Sequence, residues 1–186
     1  HLRELKDFPY LDYPLNQIGG IHLNTIEFMN DMHPIRKKSE ANDFIKRTDL
    51  IKEVYQGVLA DLEKQAKSGI YPPEFVYGHV IKQLDEFIEY SNEEHPLYTQ
   101  FMSKINQLDL DQEDVNYFEN EIKRSISESV TPGFKVLRDF MIRTQKYANK
   151  NHGIWSQPGG DEYYKLKIRT FTTTDYSPEK IHQMGL

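Results

Sequence analysis

The feature that most constrains this chain is a stripe of residues spaced at steps of three and four. It runs Phe44, Thr48, Ile51, Tyr55, Val58, Leu62 and Ala66. That spacing lines one face of a 3.6-residue helix, not one face of a strand. With Ser39 as its cap and Gly69 as a left-handed stop, the pattern predicts one continuous helix over 39–68. Some thirty residues at 1.5 Å each is about 45 Å of helix. A helix of that length must bury its stripe along partners of comparable length, so the stripe predicts a bundle.

The rest of the chain follows the same period. A first helix is predicted over residues 16–32 on Ile18, Ile21, Ile26 and Met29, stopped by His33-Pro34. Pro72-Pro73 opens another, with Val76, Val80, Leu84, Phe87 and Ile88 apolar. A further one spans about 96–108. The next starts at Asp111, where Asp111 and Asp114 complement the positive end of the helix dipole, with Val115, Phe118, Ile122 and Ile126 as its stripe. Thr131-Pro132 opens a long helix through Val136, Leu137, Phe140, Met141 and Tyr147. No segment alternates with period two. The fold class is therefore all-α, with long antiparallel helices in an up-and-down bundle-like arrangement.

The main break lies over 149–160, which holds three glycines, a proline and the one tryptophan. It divides the chain into a helical bundle domain, 1–150, and a linker with the start of a following helical region, 151–186. After it, 161–170 reads as helix, Thr172-Thr173-Thr174 interrupts, and Ser177-Pro178-Glu179 is a strong helix start. A cap with little helix behind it, and a first residue that is His1, predict a truncated chain whose C-terminal half is missing. Such a cut is expected to leave Ile168, Phe171, Ile181 and Met184 uncovered.

Composition removes several function classes. The net charge is −6, and Arg36-Lys37-Lys38 is the one tight basic cluster, so a nucleic-acid face is not expected. Without cysteine, the chain has no disulfide, thiolate zinc site or cysteine nucleophile. No apolar run reaches the ~20 residues of a membrane span. Twelve tyrosines, ten phenylalanines and a tryptophan exclude a disordered chain, which would be poor in aromatics.

Seven histidines prompt a search for metal ligands. The zinc-peptidase pattern His-Glu-x-x-His is absent. Glu179 and His182, at i and i+3, share a helix face, but di-iron bundles need two such pairs and two more glutamates. His33 and His95, each before a proline, are expected at helix ends, against terminal carbonyls. The chain alone is expected to bind no stoichiometric zinc and to have no catalytic residue. The candidates for substrate binding are Tyr163, Tyr164 and Arg169. Adjacent helical tyrosines point about 100° apart, so one can pack inward while the other faces a cleft. Arg169 has the fork to hold a carboxylate.

Four blocks occur in order: Tyr13-Pro-Leu-Asn-Gln with Gly19-Gly20, Gly69-Ile-Tyr-Pro-Pro, Pro158-Gly-Gly-Asp-Glu-Tyr-Tyr, and Thr172-Thr-Thr-Asp-Tyr-Ser-Pro-Glu-Lys-Ile-His-Gln-Met-Gly-Leu. Together they resemble the bacterial family filed as domain of unknown function 885, over essentially the whole chain. The resemblance implies a longer, largely helical protein, exported or lipid-anchored at the cell surface and similar to helical zinc peptidases. The family's His-Glu-x-x-x-x-His-like motif lies C-terminal to the threonine block and has no counterpart here. The implied function is the N-terminal helical part of a zinc-dependent, peptidase-like hydrolase. That part walls a substrate cleft, accepts a peptide substrate and packs on the rest of the protein. Zinc belongs, in that reading, to the full-length protein. The alternative is a non-enzymatic helical binding module of the cell envelope.

Overall fold

The computed structural model describes Phe8 and residues 11–186, so the first residues of the expected 1–150 domain lie outside the described part. The fold is all-α, with no strand among the described residues. In chain order the helices are α1 (Ile21–Glu27), α2 (Lys38–Asp49), α3 (Ile51–Lys67), α4 (Glu74–Glu89), α5 (Pro96–Ile105), α6 (Gln112–Ser125), α7 (Thr131–Thr144), α8 (Gly160–Thr172) and α9 (Pro178–Met184). Helix α7 packs along both α3 and α4, while α6 packs on α2 and α5. Between them lies a core that includes Phe44, Tyr55, Leu62, Tyr77, Leu84, Phe101, Phe118, Ile122 and Phe134.

Local signals end the helices as their chemistry dictates. Gly69 takes a left-handed conformation, φ 74°. Its N–H bonds to the Ala66 carbonyl at 3.0 Å, and the Ile70 N–H reaches back to Gln65 at 3.2 Å. That is a Schellman closure, sealed by buried Ile70. Asp111 caps α6 by accepting from Asp114 N at 2.8 Å. Ser177 caps α9 by accepting from Lys180 N at 3.2 Å.

Several expected elements are corrected. The helix expected over 39–68 is two helices meeting at Leu50, and it starts at Lys38 rather than on a Ser39 cap. The Glu40 carboxylate instead accepts from Arg36 N at 2.7 Å. The bend has a side-chain cause. Ser129 Oγ donates to the Asp49 carbonyl at 2.8 Å and accepts from Lys52 N at 3.1 Å, so a hydroxyl stands inside the helical ladder. Thr48 Oγ1, bonded back to the Phe44 carbonyl at 2.9 Å, favours bending in the same place.

The α6 and α7 helices are likewise one path. A π-helical turn, Ile126–Val130, joins them, and Thr131 N–H bonds five residues back to Ile126. Pro132 offers no N–H to the Glu128 carbonyl, and the wider turn accommodates its ring inside the helix. The same turn aims Ser129 at the α2–α3 elbow. Arg124 ties the elbow further, bonding Asp49 and Glu121 at 2.9 Å each. Ser129→Ala is expected to cost about 1–3 kcal/mol, because two backbone groups lose their partner in a buried setting. Urea unfolding measures this; a loss below about 0.5 kcal/mol would mean water replaces the hydroxyl at no cost.

The first helix starts at Ile21, not at residue 16. Asn16 Oδ1 accepts from Ile18 N at 3.0 Å and Gly19 N at 2.8 Å. This side-chain turn competes with helix over those residues and leaves Ile18 83% exposed.

Candidate functional site

Outside the main core a smaller cluster joins Leu11, Ile70 and Tyr163, with Phe8, Tyr13 and Ile154 packed against it. Three of the four sequence blocks that carry the family resemblance meet here. Gln157 Nε2 donates to the Tyr71 carbonyl at 2.8 Å. Glu74 N donates to the Asn149 carbonyl at 3.0 Å, and Asn149 N to the Pro72 carbonyl at 3.2 Å. The break at 149–160 is thus laced to the Pro72-Pro73 turn that precedes α4.

Helix α8 starts at a left-handed Gly159, φ 72°. At Gly160 the backbone lies against the Ile154 carbonyl so closely that a Cβ would sit 1.8 Å from its oxygen. Only glycine permits that approach. It brings the 154–156 turn under the first turn of α8, and from there the two tyrosines diverge. Tyr163 is 5% exposed and Tyr164 49%. Tyr163 donates its hydroxyl hydrogen to the Asp12 carboxylate. Lys167, one turn along α8, lies 3.4 Å from the same carboxylate and 5.0 Å above the Tyr163 ring. The Asp12 carbonyl accepts from Gln65 Nε2 at 3.1 Å, so Asp12 is held from three sides.

Burial, then the bond to Asp12, pushes the Tyr163 phenol above its ordinary value. Its hydrogen bond with Tyr163 raises the Lys167 ammonium. Tyr13 is pushed up to about 12 by burial first. All three tend to keep their protons at neutral pH. These three groups therefore offer fixed hydrogen bonds and a cation, not a general base.

Three concavities follow one another along α8 and share lining residues. The first, about 510 Å³, lies between Asp12, Tyr13, Tyr163, Tyr164 and Lys167. The second, about 630 Å³, is bounded by Trp155, Asp161, Tyr164, Lys165 and Glu179. The third, about 450 Å³, lies between Lys165, Arg169, Tyr176 and Glu179. Tyr163 and Tyr164 thus share one concavity, whereas Arg169 lines another. Thr172, Thr173 and Thr174 form the end of α8: Thr173 is left-handed, φ 56°, and Thr172 Oγ1 lies 2.9 Å from Thr174 Oγ1. Of the residues expected to stand uncovered, Phe171 and Met184 are exposed; Ile168 and Ile181 are half-buried.

Asp12, Lys167 and Trp155 join this face without having been singled out from sequence. Lys167 stands four residues from Tyr163, a helical neighbour readable in advance. Asp12 is 151 positions from Tyr163 and carries no local signal.

The histidines take other places. His95 caps α5, its Nδ1 accepting from Leu97 N at 3.2 Å, which is a helix start rather than the carbonyl end expected. His33 Nδ1 bonds the adjacent Pro34 carbonyl at 2.9 Å, and His22 Nε2 pairs with Gln83 at 3.0 Å. Among the described residues no group of three or more His, Asp or Glu side chains is placed to hold a metal ion. Of the acids around α8, Asp12 is engaged by Tyr163 and Lys167 and Glu179 by the Ser177 cap. These residues do not fit a zinc site. No helix among them is long and apolar enough to cross a membrane.

Comparison with known proteins places this geometry in a family. No curated protein matches the chain. Among solved structures it is similar to "the putative lipoprotein from Colwellia psychrerythraea", at 27% identity and a TM-score of 0.89. That likeness covers 93% of this chain and 30% of the Colwellia chain, so the present residues span under a third of that protein. The family model described as bacterial protein of unknown function (DUF885) matches residues 2–186. Carrying that match over nearly its whole length, the chain belongs to this bacterial family of unknown function.

Proposed function

We propose that these residues form the N-terminal helical wall of a peptidase-like, zinc-dependent hydrolase that is exported or lipid-anchored at the cell surface. In this reading 1–150 is the bundle and 151–186 leads into the following helical region. The carrying observation is the line of concavities along α8, lined in part by exposed Trp155, Tyr164 and Tyr176. Exposed aromatics grouped beside clefts are the usual mark of a surface that meets a ligand or another protein part. The similarity to the Colwellia lipoprotein supports the surface location. Metal chemistry is assigned to residues beyond this chain. The α8 face supplies grip: Tyr164 as an apolar platform, Arg169 as a carboxylate partner, and Tyr163 as the buttress beneath.

The test uses the protein expressed from its complete gene and a mixed peptide substrate read by mass spectrometry. Cleavage is expected, lost with a chelator and restored by zinc. Tyr164→Ala is expected to raise KM about tenfold with kcat nearly unchanged, the signature of a binding contact remote from the bond broken. A zinc-loaded complete protein that cleaves nothing overturns the proposal. Peptide binding without cleavage would instead favour the envelope binding module.

A further inference from the structure

A groove between α1 and the α2–α3 elbow shares no lining residue with the concavities along α8. Its volume is about 350 Å³, at the lower end of small-molecule sites. Ile21 and Phe28 wall one side, Leu50 and Val54 the other, and the buried Tyr55 is part of the lining. Phe28, Leu50 and Val54 are exposed, although each is large and apolar.

Both lips are built from backbone irregularities. Phe28 is the first residue of a π-helical turn, Phe28–Met32, that ends the first helix. Leu50 is the bend itself, held by Ser129. A regular helix at either place would carry its residues round differently. Single π turns are frequent where a helix serves a site.

The rim carries one cation. Arg47 places its Cζ over the Phe28 ring, 5.9 Å from the centroid. It has no ion pair among the described residues, while Arg124, Arg138 and Arg143 each hold a carboxylate. Neighbouring Lys46 lies 3.6 Å from Asp43. A planar guanidinium beside an aromatic ring, with no carboxylate already on its fork, matches a carboxylate with two parallel bonds. One such group balances one negative charge; a phosphate monoester would bring a second without a partner here. A docked helix would need a long groove with anchors at successive turns.

We propose that this groove binds a monomeric fatty carboxylate, with its acyl chain against Phe28, Leu50 and Val54 and its carboxylate on Arg47. The proposal is independent of the activity assigned to the α8 face. Charge and apolar body are both required, so each can be removed separately.

The probe is decanoate, kept below its micelle concentration and titrated into the complete protein by calorimetry. Decanol and decyltrimethylammonium are the controls. Saturable binding of one decanoate is expected, with decanol about tenfold weaker and the cation weaker still. Arg47→Gln and Val54→Gln, both at exposed helical positions, are each expected to weaken decanoate about tenfold. Methyl resonances of Leu50 and Val54 should shift on binding in the parent protein. Absence of saturable binding overturns the proposal. So does equal affinity for decanol with no effect of Arg47→Gln, which would mean unspecific apolar adsorption. Shifts confined to methyl groups elsewhere, or a groove covered by another part of the complete protein, overturn it too.

Discussion

Phe134→Ala is expected to remove about 3–5 kcal/mol of folding stability. The ring is fully buried on α7, at the place where three helices meet. It stacks on Phe87 of α4, centroids 4.9 Å apart and planes 16° from parallel. It also takes Tyr55 of α3 edge-on at 5.4 Å. Gly133 beside it draws α7 close, since a Cβ there would stand 3.2 Å from Lys52 Cα and 3.1 Å from the Tyr55 ring. With the backbones already in near contact, the helices cannot slide inward to fill the space left by a missing ring. The cost is therefore expected in the upper part of the range for large-to-small changes. Whole-domain stabilities run only about 5–15 kcal/mol, so the loss is a large share of the total, and Phe134→Leu supplies a graded second point with a smaller loss. Urea unfolding followed by far-ultraviolet dichroism measures both. A loss under about 1 kcal/mol for Phe134→Ala would mean that the junction relaxes and that packing on α7 does not hold the bundle together.

What could be read in advance divides by the range of its cause. Gly69, Asp111 and Ser177 do their work on groups within a few residues, and all three end or start helices as their chemistry predicts. The stripe through Phe44, Ile51, Tyr55 and Leu62 names core residues correctly, for these are buried. It could not reveal that the helix bends at Leu50, because the hydroxyl that bends it comes from Ser129, 77 residues beyond Lys52. Pro132 was a local signal with two meanings. A proline opens a helix or sits in one whose ladder has widened, and the choice depends on what α7 packs against. The same division holds at the candidate site. The inward Tyr163 and outward Tyr164 follow from the 100° step of a helix, as their burial shows. The Asp12 carboxylate that receives the Tyr163 hydroxyl is placed there by the whole fold.

Acidification is expected to destabilise the fold through His95, by about 3 kcal/mol in all. The His95 ring is fully buried beside Phe87 and Tyr90, with centroids 6.2 and 6.0 Å away. Burial lowers its pKa to about 4 from an ordinary 6.5. Geometry agrees with the neutral form. Nδ1 accepts the Leu97 N–H that starts α5, so the ring proton sits on Nε2, which is buried without a partner. A second proton on Nδ1 would put charge in an apolar pocket and abolish the cap as well. The sign follows from proton counts. Between pH 6.5 and about 4 the unfolded chain binds a proton that the folded chain does not, so stability falls as pH falls through that window. At 1.36 kcal/mol per unit, a depression from 6.5 to about 4 gives the ~3 kcal/mol stated. Above pH 6.5 the contribution is complete; below about 4 it is gone. His22 and His33, also lowered chiefly by burial, act in the same direction. His95→Asn separates the one group from the rest, since asparagine accepts at a helix start but does not titrate. Its stability will be lower at pH 7.5, where the ring's packing is lost. The gap from the parent protein is expected to close by about 2–3 kcal/mol at pH 4.5, in urea unfolding at both pH values. Parallel losses in the two proteins would show that His95 takes up its proton as readily folded as unfolded, and that the acid sensitivity of the fold lies elsewhere.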